Sequence, residues 1–131
     1  MQNKELIELA LRARENAYAP YSNFFVGAAL LCDDGSVYLG CNVENASFSV
    51  TCCAERVALF KAISDGKKNF EAIAVVGSHK DEKEMKPCYL CGVCRQAMSE
   101  FCRKDFKIVL ADGQDVKEIT LGELLPNSFE L

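Results

Sequence analysis

Basic residues are in the minority in this chain, and histidine is nearly missing. Fifteen Lys and Arg stand against nineteen Asp and Glu, a formal net charge of −4 at pH 7. A nucleic-acid backbone therefore finds no cationic excess to grip. His79 is the single histidine in 131 residues. That disfavours a histidine general base, a two-histidine zinc site and a Ser-His-Asp triad. Its setting, Ser78-His79-Lys80-Asp81-Glu82, reads as solvated loop. No apolar run approaches the ~20 residues of a membrane span. The opening Met1-Gln2-Asn3-Lys4-Glu5 lacks the basic-then-apolar layout of a secretory signal, so the expected compartment is the cytoplasm. Linkers, repeats and low-complexity segments are also missing, which predicts one domain over residues 1–131. With 50% hydrophobic and 26% charged residues, such a chain can fold around a core.

What the chain does have is cysteine: Cys32, Cys41, Cys52, Cys53, Cys88, Cys91, Cys94 and Cys102. In a reducing compartment these are not structural disulfides, and such a cluster is more often metal-binding or catalytic. The elements around them follow from periodicity. Leu6, Ile7, Leu9, Ala10, Leu11 and Ala13 predict an amphipathic helix over residues 4–16, ended by Ala19-Pro20-Tyr21-Ser22. The run Val26–Cys32, the turn Asp33-Asp34-Gly35-Ser36 and the strand Val37–Asn42 read as a hairpin. Residues 53–65 carry Val57, Leu59, Phe60 and Ile63 in a helical pattern stopped by Gly66. Ile73–Val76 reads as a short buried strand, 78–86 as a charged surface loop, Gly92–Phe101 as a helix and Lys107–Ala111 as a strand. Thr120 and Glu123 fit a capping box for a last helix, Leu121–Leu125, before Pro126. Alternating strands and helices predict an α/β fold.

Two segments carry the chemistry, Thr51-Cys52-Cys53-Ala54-Glu55-Arg56 and Pro87-Cys88-Tyr89-Leu90-Cys91-Gly92-Val93-Cys94-Arg95-Gln96. Cys91 and Cys94 start a helix three residues apart, a spacing that lets two thiolates face one ion. Cys53, where another helix begins, is a third candidate. Helix N-termini favour anions and so help keep these cysteines as thiolates. Three protein ligands on a tetrahedral zinc leave the fourth position open for water, as in a catalytic site. Glu55, two residues after Cys53, can lean towards that water and move its proton without binding the metal. A ligand-x-Glu segment followed by Pro-Cys-x-x-Cys is the pattern described for nucleobase deaminases. Spacing alone leaves another reading open. With Cys52 or Cys88 as a fourth thiolate, the zinc is closed and structural, in a module for partner binding.

These segments belong to a longer series of blocks. They are Ala19-Pro20-Tyr21-Ser22-x-Phe24-x-Val26-Gly27-Ala28-Ala29-Leu30, Gly40-Cys41-Asn42-Val43-Glu44-Asn45-Ala46, Cys53-Ala54-Glu55-Arg56, Cys91-Gly92-Val93-Cys94-Arg95-Gln96 and Glu123-Leu124-Leu125-Pro126. In this order, over nearly the whole chain, they resemble the small homotetrameric zinc-dependent cytidine deaminases. The resemblance implies a three-layer α/β/α sandwich with a central mixed β-sheet. It implies hydrolytic deamination of cytidine and 2′-deoxycytidine to uridine and 2′-deoxyuridine, a pyrimidine-salvage reaction using one Zn2+ per chain. It makes Cys53, Cys91 and Cys94 the zinc ligands, Glu55 the proton shuttle and Arg56 a donor to the ligand thiolates. The last role has a physical reason. Three thiolates on Zn2+ sum to −1, and a guanidinium offsets part of that charge. Asn42 and Glu44, alternate positions at a strand end, become readers of the sugar hydroxyls. Phe24 packs at the base, Ala54 joins the substrate contacts, and Phe129 reaches a neighbouring subunit's pocket. The implied partners are a nucleoside and further copies of the chain, with no nucleic acid and no membrane.

The chain departs from the family pattern in two places. Leu90 stands where the family usually has Pro, and Phe48-Ser49 where it often has Tyr-Pro. Pro87-Cys88-x-x-Cys91 matches the literal motif three residues early, but Gly-Val-Cys-Arg-Gln follows Cys91 and sets the register there. Two other enzymes share parts of the pattern. One deaminates an aminoacylated cytosine nucleoside antibiotic of the blasticidin S type, and the Asn42–Glu44 segment favours a plain nucleoside over it. The other is a polynucleotide deaminase, against which the acidic charge speaks.

Overall fold

The computed structural model describes residues 1–131. Helix α1 (Asn3–Arg14) buries Leu6, Ile7, Ala10 and Ala13 as one stripe. Strands β1 (Phe24–Cys32) and β2 (Val37–Cys41) form the expected hairpin, with Leu31 opposite Val37 and Gly27 opposite Cys41. Along its other edge β1 pairs antiparallel with β3 (Phe70–His79). Strand β3 pairs parallel with β4 (Lys107–Asp112), and β4 pairs antiparallel with β5 (Asp115–Thr120). The result is a mixed five-stranded sheet in the order β2-β1-β3-β4-β5.

Alternation along the strands makes two cores. Ala28, Leu30, Ile73, Val75, Ile108 and Leu110 face α2 (Ala54–Ser64), α3 (Gly92–Phe101) and α4 (Leu121–Leu124). Ala29, Leu31, Ala72, Ala74, Val76 and Val109 face α1. Helices cover both faces, which is the expected three-layer α/β/α sandwich. Both β2 and β3 run antiparallel to β1, so they share a direction, and β4 is parallel to β3. Helix α2 crosses from β2 to β3, and α3 crosses from β3 to β4 on the same face. Each crossover helix therefore starts at the same end of the sheet, where such folds hold their ligands.

Several local readings change in the structure. The strand expected at Ile73–Val76 extends over Phe70–His79, because β1 offers a partner to its whole length, from Phe24 opposite His79 to Cys32 opposite Phe70. Ser78 and His79 are therefore the end of a strand and not the start of the charged loop. Residues 112–120, given no strand above, form the tight turn and edge strand β5. The Asp112-Gly113 pair was the available turn signal. Helix α2 buries only part of its expected pattern. Leu59 is fully buried and Ile63 packs on the core, but Phe60 is exposed, and Ala54, Glu55, Ala58 and Ala62 make up the rest of the inward face. Gly40 on β2 explains the choice of small residues. A Cβ there would collide with the Ala54 carbonyl, so helix and strand pack backbone to backbone.

Candidate active site

Cys53 and Cys91 are the residues that begin α2 and α3. Both have extended backbone, with φ −73° and −69°. Their carbonyls take the first bonds of each helix, from Val57 N at 3.1 Å and Arg95 N at 3.0 Å. Neither side chain caps its own helix. Cys94 lies in the first turn of α3 and is buried. Since both helices start at one end of the sheet, the three thiols converge, and their sulfur atoms all lie within 4.8 Å of one another. Cys53 Sγ is 3.6 Å from Cys91 Sγ. Cys52 and Cys88 stand outside this group. Cys88 packs against the main core, and burial pushes its thiol up to about 12, with the nearby Glu55 and Cys53 charges adding to the rise. Leu90 is buried, and its carbonyl accepts from Arg95 Nε at 2.7 Å while Arg95 also donates to the Leu124 carbonyl at 2.8 Å. These bonds set the register of the α3 start.

Glu55, second residue of α2, points inward and is only 4% exposed. Burial raises its carboxyl to about 7, with the Cys53 charge adding to the rise, while its own backbone N–H, the Cys94 thiol and Arg56 pull the other way. Cys53 is held well below the usual thiol range, first by the Cys94 thiol donating to it and then by Arg56. Cys94 is raised in turn, first by the same bond and then by burial. A guanidinium nitrogen of Arg56 lies 3.5 Å from Cys53 Sγ and 3.5 Å from the Thr51 carbonyl, while its buried Nε has no partner.

Residues 42–44 follow the end of β2, at the same edge. Asn42 is buried, and its amide clamps β1: Oδ1 accepts from Val26 N at 2.9 Å, and Nδ2 donates to the Phe24 carbonyl at 2.8 Å. The Glu44 carboxylate accepts from Tyr21 N at 2.9 Å, Ser22 N at 3.1 Å and Ser22 Oγ at 2.5 Å. These bonds outweigh its partial burial and lower its pKa. Ser22 Oγ also accepts from Phe24 N at 3.0 Å. Glu44, Ser22, Phe24 and Asn42 are thus one hydrogen-bonded unit. Ser22 is the member that sequence reasoning missed, although it lies in the Tyr21-Ser22-x-Phe24 block. Glu44 lines a cleft of about 290 Å3 with Tyr21, Ser22, Asn45, Phe48 and Thr51. Ala54 is fully buried under Gly40. Phe129 is not part of this assembly. It is 68% exposed and lies beside Leu121, Leu125 and Cys102.

The thiol group fits zinc. Zn–S bonds of about 2.3 Å in a tetrahedron place sulfurs about 3.8 Å apart, close to the 3.6 Å between Cys53 and Cys91. Three soft donors at two helix starts suit a thiolate-bound zinc, with Arg56 beside them to offset charge. Fold and donor set together define a zinc-binding deaminase domain. A family model described as the cytidine and deoxycytidylate deaminase zinc-binding region matches residues 1–110. The chain is 53% identical to a cytidine deaminase of Halalkalibacterium halodurans, covering 98% of this chain and 95% of that one. It is 47% identical to a cytidine deaminase of Sporosarcina psychrophila, covering 98% and 92%. A crystal structure of cytidine deaminase from Burkholderia pseudomallei superposes with a TM-score of 0.89 at 50% identity, covering 98% of this chain and 100% of that one. The chain belongs to the cytidine and deoxycytidylate deaminase family, and its cofactor is zinc.

Proposed function

We propose that this chain, acting as one domain, hydrolyses cytidine and 2′-deoxycytidine to uridine and 2′-deoxyuridine, releasing ammonia. The observation that carries the reading is the convergence of Cys53, Cys91 and Cys94 beside the buried carboxyl of Glu55. In this reading the three cysteines hold one zinc ion. When bound, zinc supplies the acidity that makes water a nucleophile near neutral pH. Glu55 accepts the first proton of the attacking water on its carboxylate and returns it to N3 of the cytosine ring as the water oxygen bonds to C4. It then takes the second proton from the oxygen now on C4 and passes it to the amino nitrogen, so that the C4–N bond breaks, C4 keeps the oxygen and ammonia leaves. Arg56 draws charge from the Cys53 thiolate. Phe24 flanks the base, and Ala54 lies beside it at the start of α2.

Asn42 and Glu44 read the sugar. Their existing bonds leave room for this role. The Asn42 amide has one N–H and one lone pair unused, and the Glu44 carboxylate has taken three donors of about four. Glu44 therefore has two duties, shaping residues 21–24 and accepting from a sugar hydroxyl. The exposure of Phe129, Phe48 and Phe60 supports assembly into a homotetramer, with Phe129 reaching a neighbour's pocket. The free thiols of all eight cysteines support a cytoplasmic location, and the nucleoside reaction itself is one of pyrimidine salvage. No helix is long and apolar enough to cross a membrane.

Zinc content and turnover on purified protein test the reading. About one zinc per chain is expected for a single three-cysteine site, together with hydrolysis of cytidine. Turnover of blasticidin S without cytidine would reassign the substrate. Bound zinc with neither activity would make the site structural.

A further inference from the structure

Phe24 and His79 are directly opposite each other in the β1–β3 register, with Val26 opposite Gly77 beside them. These positions lie on the face that carries α2 and α3, at the end where the thiols converge. The two rings meet edge to face, with centroids 5.1 Å apart and planes at 79°. His79 Nδ1 lies 3.1 Å from the Asn23 carbonyl oxygen. A carbonyl only accepts, so this bond assigns the proton to Nδ1, and both the neutral Nδ1–H tautomer and the imidazolium supply it. Asn23 has a left-handed backbone, φ 59°, and is tied to the preceding turn by its N–H to the Ala19 carbonyl at 3.0 Å.

The backbone under the imidazole is held as well. His79 N donates to Glu82 Oε1 at 2.8 Å, and Arg14 donates to the Ser78 carbonyl at 3.1 Å and to Ser78 Oγ at 2.7 Å. The Phe24 ring also lies over Gly77. A Cβ there would lie 2.9 Å from Phe24 Cε2 and 2.7 Å from Cys88 Sγ. Asn42 and Ser22 hydrogen-bond to the Phe24 backbone. The ring meets the His79 imidazole edge to face and lies over the bare backbone of Gly77, which leaves it the room to do so.

We propose that His79 is a positioning residue for the substrate's base, holding the Phe24 ring at the angle where it flanks the pyrimidine. This rests on the reading of Phe24 as the wall of the base pocket. His79 makes no bond to Glu55 or to the cysteine group, so it acts on substrate and transition state alike, and its signature is in KM and not in kcat.

The test is cytidine kinetics on zinc-loaded, full-length His79→Ala, His79→Phe, Phe24→Leu and the double variant His79→Ala/Phe24→Leu. His79→Ala is expected to raise KM about five- to thirtyfold, from one lost aromatic contact and one lost hydrogen bond, with kcat within about twofold of the parent. Its zinc content stays at the parental level. His79→Phe regains part of the loss, because the ring edge returns without the bond to Asn23. The double variant is no worse than Phe24→Leu, since His79 acts through that ring. A parental KM in His79→Ala beside a raised KM in Phe24→Leu overturns the positioning role alone. A parental KM in Phe24→Leu overturns the base-wall reading, and this inference falls with it. A fall in kcat at unchanged KM, or lost zinc, also overturns it. If His79→Ala does not fold, His79→Asn, which keeps a donor and removes the ring, carries the same expected rise.

Discussion

The start of α4 and the starts of α2 and α3 are built in opposite ways. At α4, Thr120 Oγ1 accepts from the Glu123 N–H at 3.3 Å, and the Glu123 carboxylate accepts from the Thr120 N–H at 3.2 Å. The same return contact occurs at α1, where Glu5 Oε1 accepts from Gln2 N at 3.4 Å. At α2 and α3 the cap positions are Cys53 and Cys91, whose side chains cap nothing. A missing side-chain cap costs about 1 kcal/mol. In return, the positive end of each helix lies at its cysteine, where it favours a thiolate. Helix starts that only have to fold are closed by their own side chains. The two that meet at the candidate zinc site are left open.

Removing a sulfur should break the open pair outright. Alanine at Cys53, Cys91 or Cys94 is expected to abolish metal retention and turnover, while Cys52→Ala and Cys88→Ala keep about one zinc per chain. Metal analysis decides this, and zinc lost from Cys88→Ala but kept by Cys91→Ala would move the site to the earlier register. Glu55→Gln should keep fold and zinc yet lose 10²–10⁴-fold or more of kcat, because an amide cannot carry the proton. A rate within about tenfold of the parent would remove Glu55 from the proton path.

Arg56→Ala should cost less. A group that tunes a metal through its ligands is worth ~10–100-fold in affinity or rate. Competition with a chelator, run beside cytidine kinetics, reads both. Unchanged zinc affinity with weakened cytidine binding would place Arg56 among the substrate contacts. The closed start gives the smallest effect. Thr120→Ala should lower unfolding free energy by about 1 kcal/mol and leave the kinetics alone. Cys91→Ser sharpens the contrast in the other direction. In metal-free protein it should raise the melting temperature slightly, since Ser is a good cap, while zinc affinity collapses. A melting temperature equal to or below that of the metal-free parent would show that an open start carries no cost.

The elements that read well from the chain are those whose signals are local. Gly92–Phe101 is a helix within its expected bounds, and Thr120 with Glu123 does close the last one. The hairpin turn at Asp33–Ser36 is likewise local. The ends of β3 and all of β5 were not legible. Gly77, Ser78 and His79 have no strand character of their own, and β5 is a partly exposed edge whose apolar residues do not alternate cleanly. Strand pairing supplies both, and pairing is a property of the partner.

The candidate site divides along the same line. Cys53-x-Glu55 and Cys91-x-x-Cys94 are local motifs, and their spacing by itself determined that thiolates and a carboxylate would stand at helix starts. Sequence separation of 38 residues says nothing about whether Cys53 meets Cys91. The sheet decided that, because β2 and β3 both run against β1 and so send α2 and α3 off from one end. The same pairing set His79 against Phe24 and gave the lone histidine a ring to hold. It also threaded Glu44, Ser22, Phe24 and Asn42 into one unit. Side-chain chemistry is written residue by residue, whereas convergence depends on strand direction and register, which exist only once the chain has paired with itself.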